Sequence, residues 1–243
     1  MPANWRASQP RFTDPQPQPS HALQPADAHI ENRLRVLCAP ALPEASVRLR
    51  SLLDARVPDL NAVTEVIRGD IGLSLHLIQS ATQELGKDSA EALRLSASVV
   101  RVGLKQLTAL VNETPLLFTH PKGKAGFQTC NRFWMHARLT ALIAEQLATQ
   151  KANVNPEEAY TAGLLRHLGA IPFVLGWNIP ALDQADPGEC AFLLAKNWQL
   201  PEALVEVAHG IPELCSSSDS LALLDVVTVA DKHAFRLELG CDF

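Results

Sequence analysis

The histidines are the side chains of this sequence that could carry acid–base or metal chemistry. The chain has eight of them, and it contains no glycine-rich phosphate loop, GxSxG elbow or HExxH motif. We expect His21, His29 and His120, in a tail or a loop, to be surface residues, and His76 to be a structural or surface residue. His136 is placed on the apolar face of a long predicted helix. A single histidine there is more often a hydrogen-bonded core residue than a ligand.

The other three histidines are predicted near helix ends or on the last helix. His167 follows Arg166 at the predicted end of a well-capped helix. His209 immediately precedes Gly210, where its ring could interact with the last carbonyl groups of a helix. His233 lies on the last predicted helix and could simply be exposed. None of the three defines a site by its spacing alone.

The elements that must position these side chains are predicted to be helices. Ala45, Leu49, Leu52 and Leu53 recur at the spacing of one helical face. We find no convincing alternation of period two and no internal repeat, and the chain is rich in Leu and Ala with only 12 glycines. The sequence therefore predicts an all-α array of about ten short helices. Further short helices are predicted around 63–67, 71–86, 89–101 and 104–118, the last two separated by Gly103.

The boundaries of the later helices carry stronger signals. A loop is predicted at Pro121–Gly126, before a long helix over about 129–150. The next helix is predicted over 156–168, because Asn155 can accept from first-turn amides and Pro156 suits the first helical position. Gly169 could supply a left-handed turn at its end. The remaining helices are predicted to start at Asp186–Pro187, to run from Pro201–Glu202 to Gly210, and to span about 220–238.

The ends of the chain differ in composition from its middle. Residues 1–40 are predicted to be a flexible proline-rich tail, because they hold few apolar residues to offset the entropy of ordering. A docking peptide is the functional alternative for this tail. Residues 41–240 are predicted to form the helical domain, which could divide into two bundles near 119–126.

Several segments together carry a resemblance to a known family. The core consists of WMHARLTALIAEQLA (134–148) followed by NPEEAYTAGLLRHLGAIPF (155–173). It resembles the HD phosphohydrolase superfamily and, more narrowly, the HDOD domain, the HD-related output domain of bacterial signalling proteins. The likeness spans about 42–239. The segments that agree in order are LPEASVRLRSLLD (42–54), DLNAVTEVIRGDIGLSLHLIQSA (59–81), SASVVRVGLKQLTALV (96–111) and VVTVADKHA (226–234).

The resemblance implies a metal site that this sequence keeps only in part. A working HD enzyme holds metal through a first His, an adjacent His-Asp pair and a later Asp. His136 matches the first position and Asp231 the last, but the pair falls on Arg166 and His167. A guanidinium stays protonated and repels divalent metals, and Ala170 stands where a lysine often follows. We therefore expect no metal hydrolase chemistry, no bound metal and no cofactor, as is common among HDOD domains.

The remnant pocket leaves three interpretations open. Arg166 could pair with Asp231 while His136 caps the closed cavity by a hydrogen bond. Arg166 could instead bind an anion such as a nucleotide phosphate. Alternatively, His136, His167 and Asp231 could form a set of two histidines and one carboxylate. His209 is included as a further candidate ligand-binding residue of the pocket.

Composition excludes several classes of protein. A formal net charge of −5 argues against a dedicated nucleic-acid binder. The longest uncharged stretch, 168–182, is too short to span a bilayer, and the N-terminal region has no apolar run typical of a secretory signal. The five cysteines contain no CxxC pair, which argues against a zinc knuckle or a disulfide framework. The expected location is the cytoplasm.

These observations predict a non-enzymatic signal-transduction or scaffold domain. We expect it to bind signalling proteins supplied in trans, because no receiver, GGDEF or EAL domain is visible in the sequence. The alternative is a residual metal-dependent phosphohydrolase or a sensor of nucleotides such as cyclic dinucleotides. A plain helical protein whose HD likeness is fortuitous is a third hypothesis. The distances among His136, Arg166, His167 and Asp231 separate these hypotheses.

Overall fold

The computed structural model describes residues 38–117, 123–177 and 186–239. Within these ranges the regular structure is helical, apart from one isolated parallel bridge between Ala41 and Leu116. This confirms the all-α prediction, whereas most of the predicted tail lies outside the described residues. The α-helices are α1 (Pro43–Leu53), α2 (Leu60–Arg68), α3 (Ile71–Leu85), α4 (Leu95–Glu113), α5 (Gly123–Ala148), α6 (Pro156–Leu164), α7 (Ile171–Leu175), α8 (Pro187–Asn197), α9 (Glu202–His209) and α10 (Ser218–Leu239).

Short polar side chains fix where several helices begin. The Asn155 side chain accepts hydrogen bonds from the amides of Glu157 and Glu158 at 2.9 and 3.2 Å, so α6 begins as predicted. Asp186 caps α8 in the same way. Such caps satisfy amides that have no partner within the helix.

The predicted end of α6 was wrong. The helix stops at Leu164 rather than at 168, and a short 3₁₀ turn, Leu168–Ala170, follows it. Gly169 is not left-handed. A methyl group at Gly169 would overlap the carbonyl oxygen of Pro187 and lie 2.8 Å from the amide nitrogen of Ala191. This glycine therefore serves the close approach of α8, not the ending of a helix.

Two other boundaries differ from the prediction. The expected loop Pro121–Gly126 is partly helical, because α5 begins at Gly123. The two helices predicted over 89–101 and 104–118 correspond to the two halves of α4 on either side of Gly103, but the first of them starts only at Leu95, after a 3₁₀ turn at Ala90–Leu93. Gly103 bends α4 with a φ of 74° and a ψ of 164°, so the separating residue was identified correctly.

Helix α5 packs closely on α6 through small side chains, while Ile143 and Leu147 of its predicted apolar face also pack against the core although they are only partly buried. The predicted face, which includes His136, is only half-buried. A methyl group added at Gly163 of α6 would lie 2.9 Å from the Cα atom of Ala141, so the two backbones approach closely. This packing brings α5 near the turn that follows α6. The buried alanines of α5 are Ala137, Ala141, Ala144 and Ala148.

The buried apolar side chains form one cluster that reaches from Ala39 to Ala230. Arg68 donates to both carboxylate oxygens of Glu145 at 3.0 and 2.9 Å, and the Tyr160 hydroxyl donates to the Arg68 carbonyl at 2.8 Å. Helices from both sides of the 119–126 segment thus contribute to the same core. The division into two bundles stays a prediction. None of the helices described is both long and apolar enough to cross a membrane.

Candidate functional site

Three side chains far apart in sequence meet where α5, the α6 end and α10 converge. His136 lies in the second half of α5, and Asp231 lies in the second half of α10. His167 precedes the 3₁₀ turn after α6, where its φ of −103° and ψ of 31° depart from helical values. The early end of α6 therefore places this imidazole, since a continuous helix would carry it in another direction.

The cluster is organised around one oxygen atom. Nε2 of His136 and Nε2 of His167 lie 2.9 and 2.8 Å from Oδ1 of Asp231, and each can donate an N–H to it. The two Nε2 atoms are 3.3 Å apart. The rings are tilted by 47°, with centroids 5.1 Å apart. Both imidazoles therefore present the same nitrogen to a shared carboxylate.

The electrostatics of the cluster favour an ionised carboxylate. Burial alone would raise the pKa of Asp231, but hydrogen bonds from His136 and His167, together with their charge, hold that pKa well below its usual range. Asp231 is consequently an anion at neutral pH. The side chains of His136, His167 and Asp231 are 16%, 31% and 27% exposed, so solutes can reach them.

Arg166 occupies a position that the sequence did not reveal. Its Nη1 donates to the carbonyl oxygens of Val207 and Ala208, both at 3.1 Å, at the C-terminal end of α9. Burial lowers its pKa and the nearby charge of Asp231 raises it, yet an arginine stays protonated in either case. The proposed Arg166–Asp231 ion pair is absent from the described residues, because the guanidinium is directed at backbone carbonyls instead.

The packing of Gly210 explains how the guanidinium fits. Gly210 adopts a left-handed φ of 80°, and a methyl group there would lie 2.7 Å from Nη2 of Arg166. The sequence shows Gly210 at the end of a helix, but it does not show that the side chain packed against this glycine is that of Arg166, 44 residues earlier. The sequence had suggested His209 as the residue near the last carbonyls. Its ring packs instead on Phe192, with centroids 4.9 Å apart. The structure thus brings together three of the five candidate residues.

The His136–His167–Asp231 cluster fits the binding of a single metal ion but not the metal site of a working HD enzyme. The ligand atoms of His136, His167 and Asp231 lie within 4.8 Å of one another, as a single metal ion requires. They do not supply the His-Asp pair of a working HD site, because His167 stands where that pair has its carboxylate. The donor set therefore fits one ion held by two imidazoles and a carboxylate.

The family follows from comparison with known proteins. A model of the HDOD domain matches residues 39–177. The chain belongs to the HDOD domain family. The hypothesis of a fortuitous likeness is thereby wrong, and the resemblance predicted from the sequence is confirmed. The match includes His136, Arg166 and His167 but ends before Asp231.

Solved structures show the same fold in this HDOD domain and in distant proteins. The MmoQ response regulator from Methylococcus capsulatus is similar, with 16% identity over 82% of this chain and 85% of that chain and a TM-score of 0.61. A virulence factor from Campylobacter jejuni is similar with 15% identity over 84% and 82%, at a TM-score of 0.62. No curated protein matches the chain.

Proposed function

We propose that this HDOD domain is a cytoplasmic, non-enzymatic signalling domain that binds partner proteins. The observation that carries this proposal is the altered HD pair. Arg166 replaces its histidine and caps α9, and His167 replaces its aspartate and donates to Asp231. A site changed in this way lacks the carboxylate of the pair, whereas the fold around it is kept.

An exposed apolar strip on α5 supports partner binding. Met135 is 63% exposed and Leu142 is 50% exposed, and residues seven apart lie on the same helical face. His136 is the next residue after Met135, so one helix carries both the strip and part of the histidine cluster. A partner protein bound to this strip would be sensitive to the position of α5.

The test is capture of a partner from cells that naturally produce the protein, with a surface variant beside the wild type. We expect one specific signalling protein to bind the wild type and to be lost with the double variant Met135→Glu/Leu142→Glu. Val100→Glu is the matched control, because Val100 is 67% exposed on α4. Circular dichroism checks folding. Recovery of no specific protein, or equal recovery with the double variant, contradicts the proposal.

A second candidate is a residual phosphohydrolase or a nucleotide sensor. The observation that favours it is the convergence of His136 and His167 on Asp231. Purified protein is assayed for hydrolysis and binding of cyclic dinucleotides with added Mn²⁺ or Fe²⁺. We expect neither. Turnover that disappears in His136→Ala while the protein remains folded would establish the second candidate instead.

A further inference from the structure

The His136–His167–Asp231 cluster has the dimensions of a metal-binding triangle. Its three edges join the two Nε2 atoms and Oδ1, and they measure 2.8, 2.9 and 3.3 Å. An ion about 2.1 Å from each ligand keeps them about 3.0 Å apart at right angles and about 3.4 Å apart at tetrahedral angles. The observed edges are close to these values without any movement of the backbone.

The chemistry of the donors selects the class of ion. Imidazole nitrogen suits zinc, iron, nickel and copper, whereas magnesium and calcium prefer sets made only of oxygen. Among the described residues of the cluster, Asp231 supplies the negative charge that balances part of the charge of the ion. All three side chains are partly exposed, so an ion can reach them from solvent.

The guanidinium of Arg166 is a positive charge near the cluster, and it opposes the binding of a cation there. Its Nη1 donates to the Val207 and Ala208 carbonyls, where the C-terminal end of a helix carries partial negative charge. The guanidinium charge is therefore partly balanced away from the cluster. The altered HD pair excludes the four-residue ligand set of a working HD enzyme, but it leaves the three-residue set His136, His167 and Asp231.

We propose that His136, His167 and Asp231 bind one divalent transition-metal ion, with two imidazole nitrogens and one carboxylate oxygen facing it from one side. The proposal departs from the expectation, based on sequence, that this chain holds no metal. It also goes beyond the proposed function, since a partner-binding domain requires no ion. The bound ion joins α5, the turn after α6 and α10, so it fixes their relative positions.

The experiment is a titration of the untagged full chain, treated with a chelator and then dialysed. Zn²⁺ is added in a calorimeter, Co²⁺ binding is followed by visible absorption, and Mg²⁺ serves as the comparison ion. We expect saturation at one Zn²⁺ or Co²⁺ per chain and no saturable Mg²⁺ binding. Zinc at 100 times its dissociation constant is expected to raise Tm by about 5–10 °C.

Variants identify the ligands. His136→Ala, His167→Ala and Asp231→Asn are each expected to weaken zinc binding by more than the ~10–100-fold seen for outer partners of metal ligands. Asp231→Asn keeps the shape of the side chain and so guards against misfolding. His233→Ala is the matched control, because residues two apart on a helix face different directions, and it is expected to bind like the wild type.

The outcomes separate this proposal from the proposed function. Absence of saturable zinc and cobalt binding to the wild type overturns the metal site, as does equal binding by all three ligand variants. Loss of partner capture by Met135→Glu/Leu142→Glu is measured in a separate experiment on chelator-treated protein, so either proposal can fail while the other holds. A zinc-dependent Tm rise that vanishes with Asp231→Asn supports the site directly.

Discussion

The guanidinium of Arg166 stands one residue before His167, yet its partners are carbonyls of another helix. Replacing it by methionine keeps an unbranched apolar stem and removes the donors to Val207 and Ala208. We expect Arg166→Met to lower the free energy of unfolding by about 1–3 kcal/mol, because two carbonyls at a helix end lose a charged donor. Urea unfolding followed by circular dichroism measures the loss.

The control for this prediction is Arg101→Met, since Arg101 is an exposed arginine of α4. A change within about 0.5 kcal/mol is expected there. If Arg166→Met is as stable as the wild type, the capping role is wrong, and the anion-binding interpretation of Arg166 becomes the better one.

At the scale of single residues, the sequence indicated which residues form the cluster but not which atoms Arg166 and His209 contact. His136 and Asp231 were found because a family pattern marks their positions, and the structure places both with His167. The partners of Arg166 could not be predicted, because the carbonyls of Val207 and Ala208 look the same in sequence as any others. His209 was included as a candidate because it lies at a helix end. That position could not predict that its ring packs on Phe192.

The start of a helix could be predicted from the sequence where the residue that caps it lies within a few positions of the amides it binds. Asn155 and Asp186 cap their helices through amides two and three residues away, so their effect can be recognised in sequence. The end of α6 depends on α8 instead. Gly169 looked like a helix terminator, whereas its lack of a side chain serves contact with Pro187, 18 residues later in sequence.

The close approach at Gly169 gives a prediction about α8. Gly169→Ala is expected to destabilise the protein by about 1–3 kcal/mol or more, because the new methyl group overlaps backbone atoms of Pro187 and Ala191 that cannot rotate away. Thermal or urea unfolding measures the change. The same displacement is expected to move the turn that holds His167.

Gly69→Ala is the matched control for that substitution. Gly69 has a φ of −72°, and the nearest atom to an added methyl group there is 3.4 Å away. A stabilisation of about 0.4–1 kcal/mol is expected, because alanine reduces the freedom of the unfolded chain. Equal stability of Gly169→Ala and wild type would show that α8 does not pack as closely as described.

At the scale of the whole molecule, polar contacts join residues 38–117 to residues 123–239. The carboxylate of Glu157 accepts from the amide and the hydroxyl of Ser96 at 2.6 and 2.7 Å. Together with the shared apolar core, such contacts favour cooperative unfolding of the two parts over the independent unfolding that separate bundles would show. The other pairs are Arg68–Glu145, Arg94–Glu158 and Gln79 with the Trp198 carbonyl.

The tryptophans allow this cooperativity to be tested. Trp134, Trp177 and Trp198 all lie in the second part, and the fourth, Trp5, lies in the tail. Leu75→Ala opens a cavity in α3, in the first part, where Leu75 is fully buried. We expect a loss of about 2–5 kcal/mol. If the two parts unfold together, the urea midpoint seen by tryptophan fluorescence falls by the same amount as that seen by circular dichroism.

Val47→Ala, on the exposed face of α1, is the control and should leave both midpoints unchanged, because Val47 is 67% exposed. Independent bundles would give a different result with Leu75→Ala. The fluorescence midpoint would stay at its wild-type value while circular dichroism showed an earlier, separate transition. Coincident shifts instead mean that a change in the first part alters the stability of the helices that carry His136, His167 and Asp231. The geometry of the cluster would then depend on the packing of the first part of the chain.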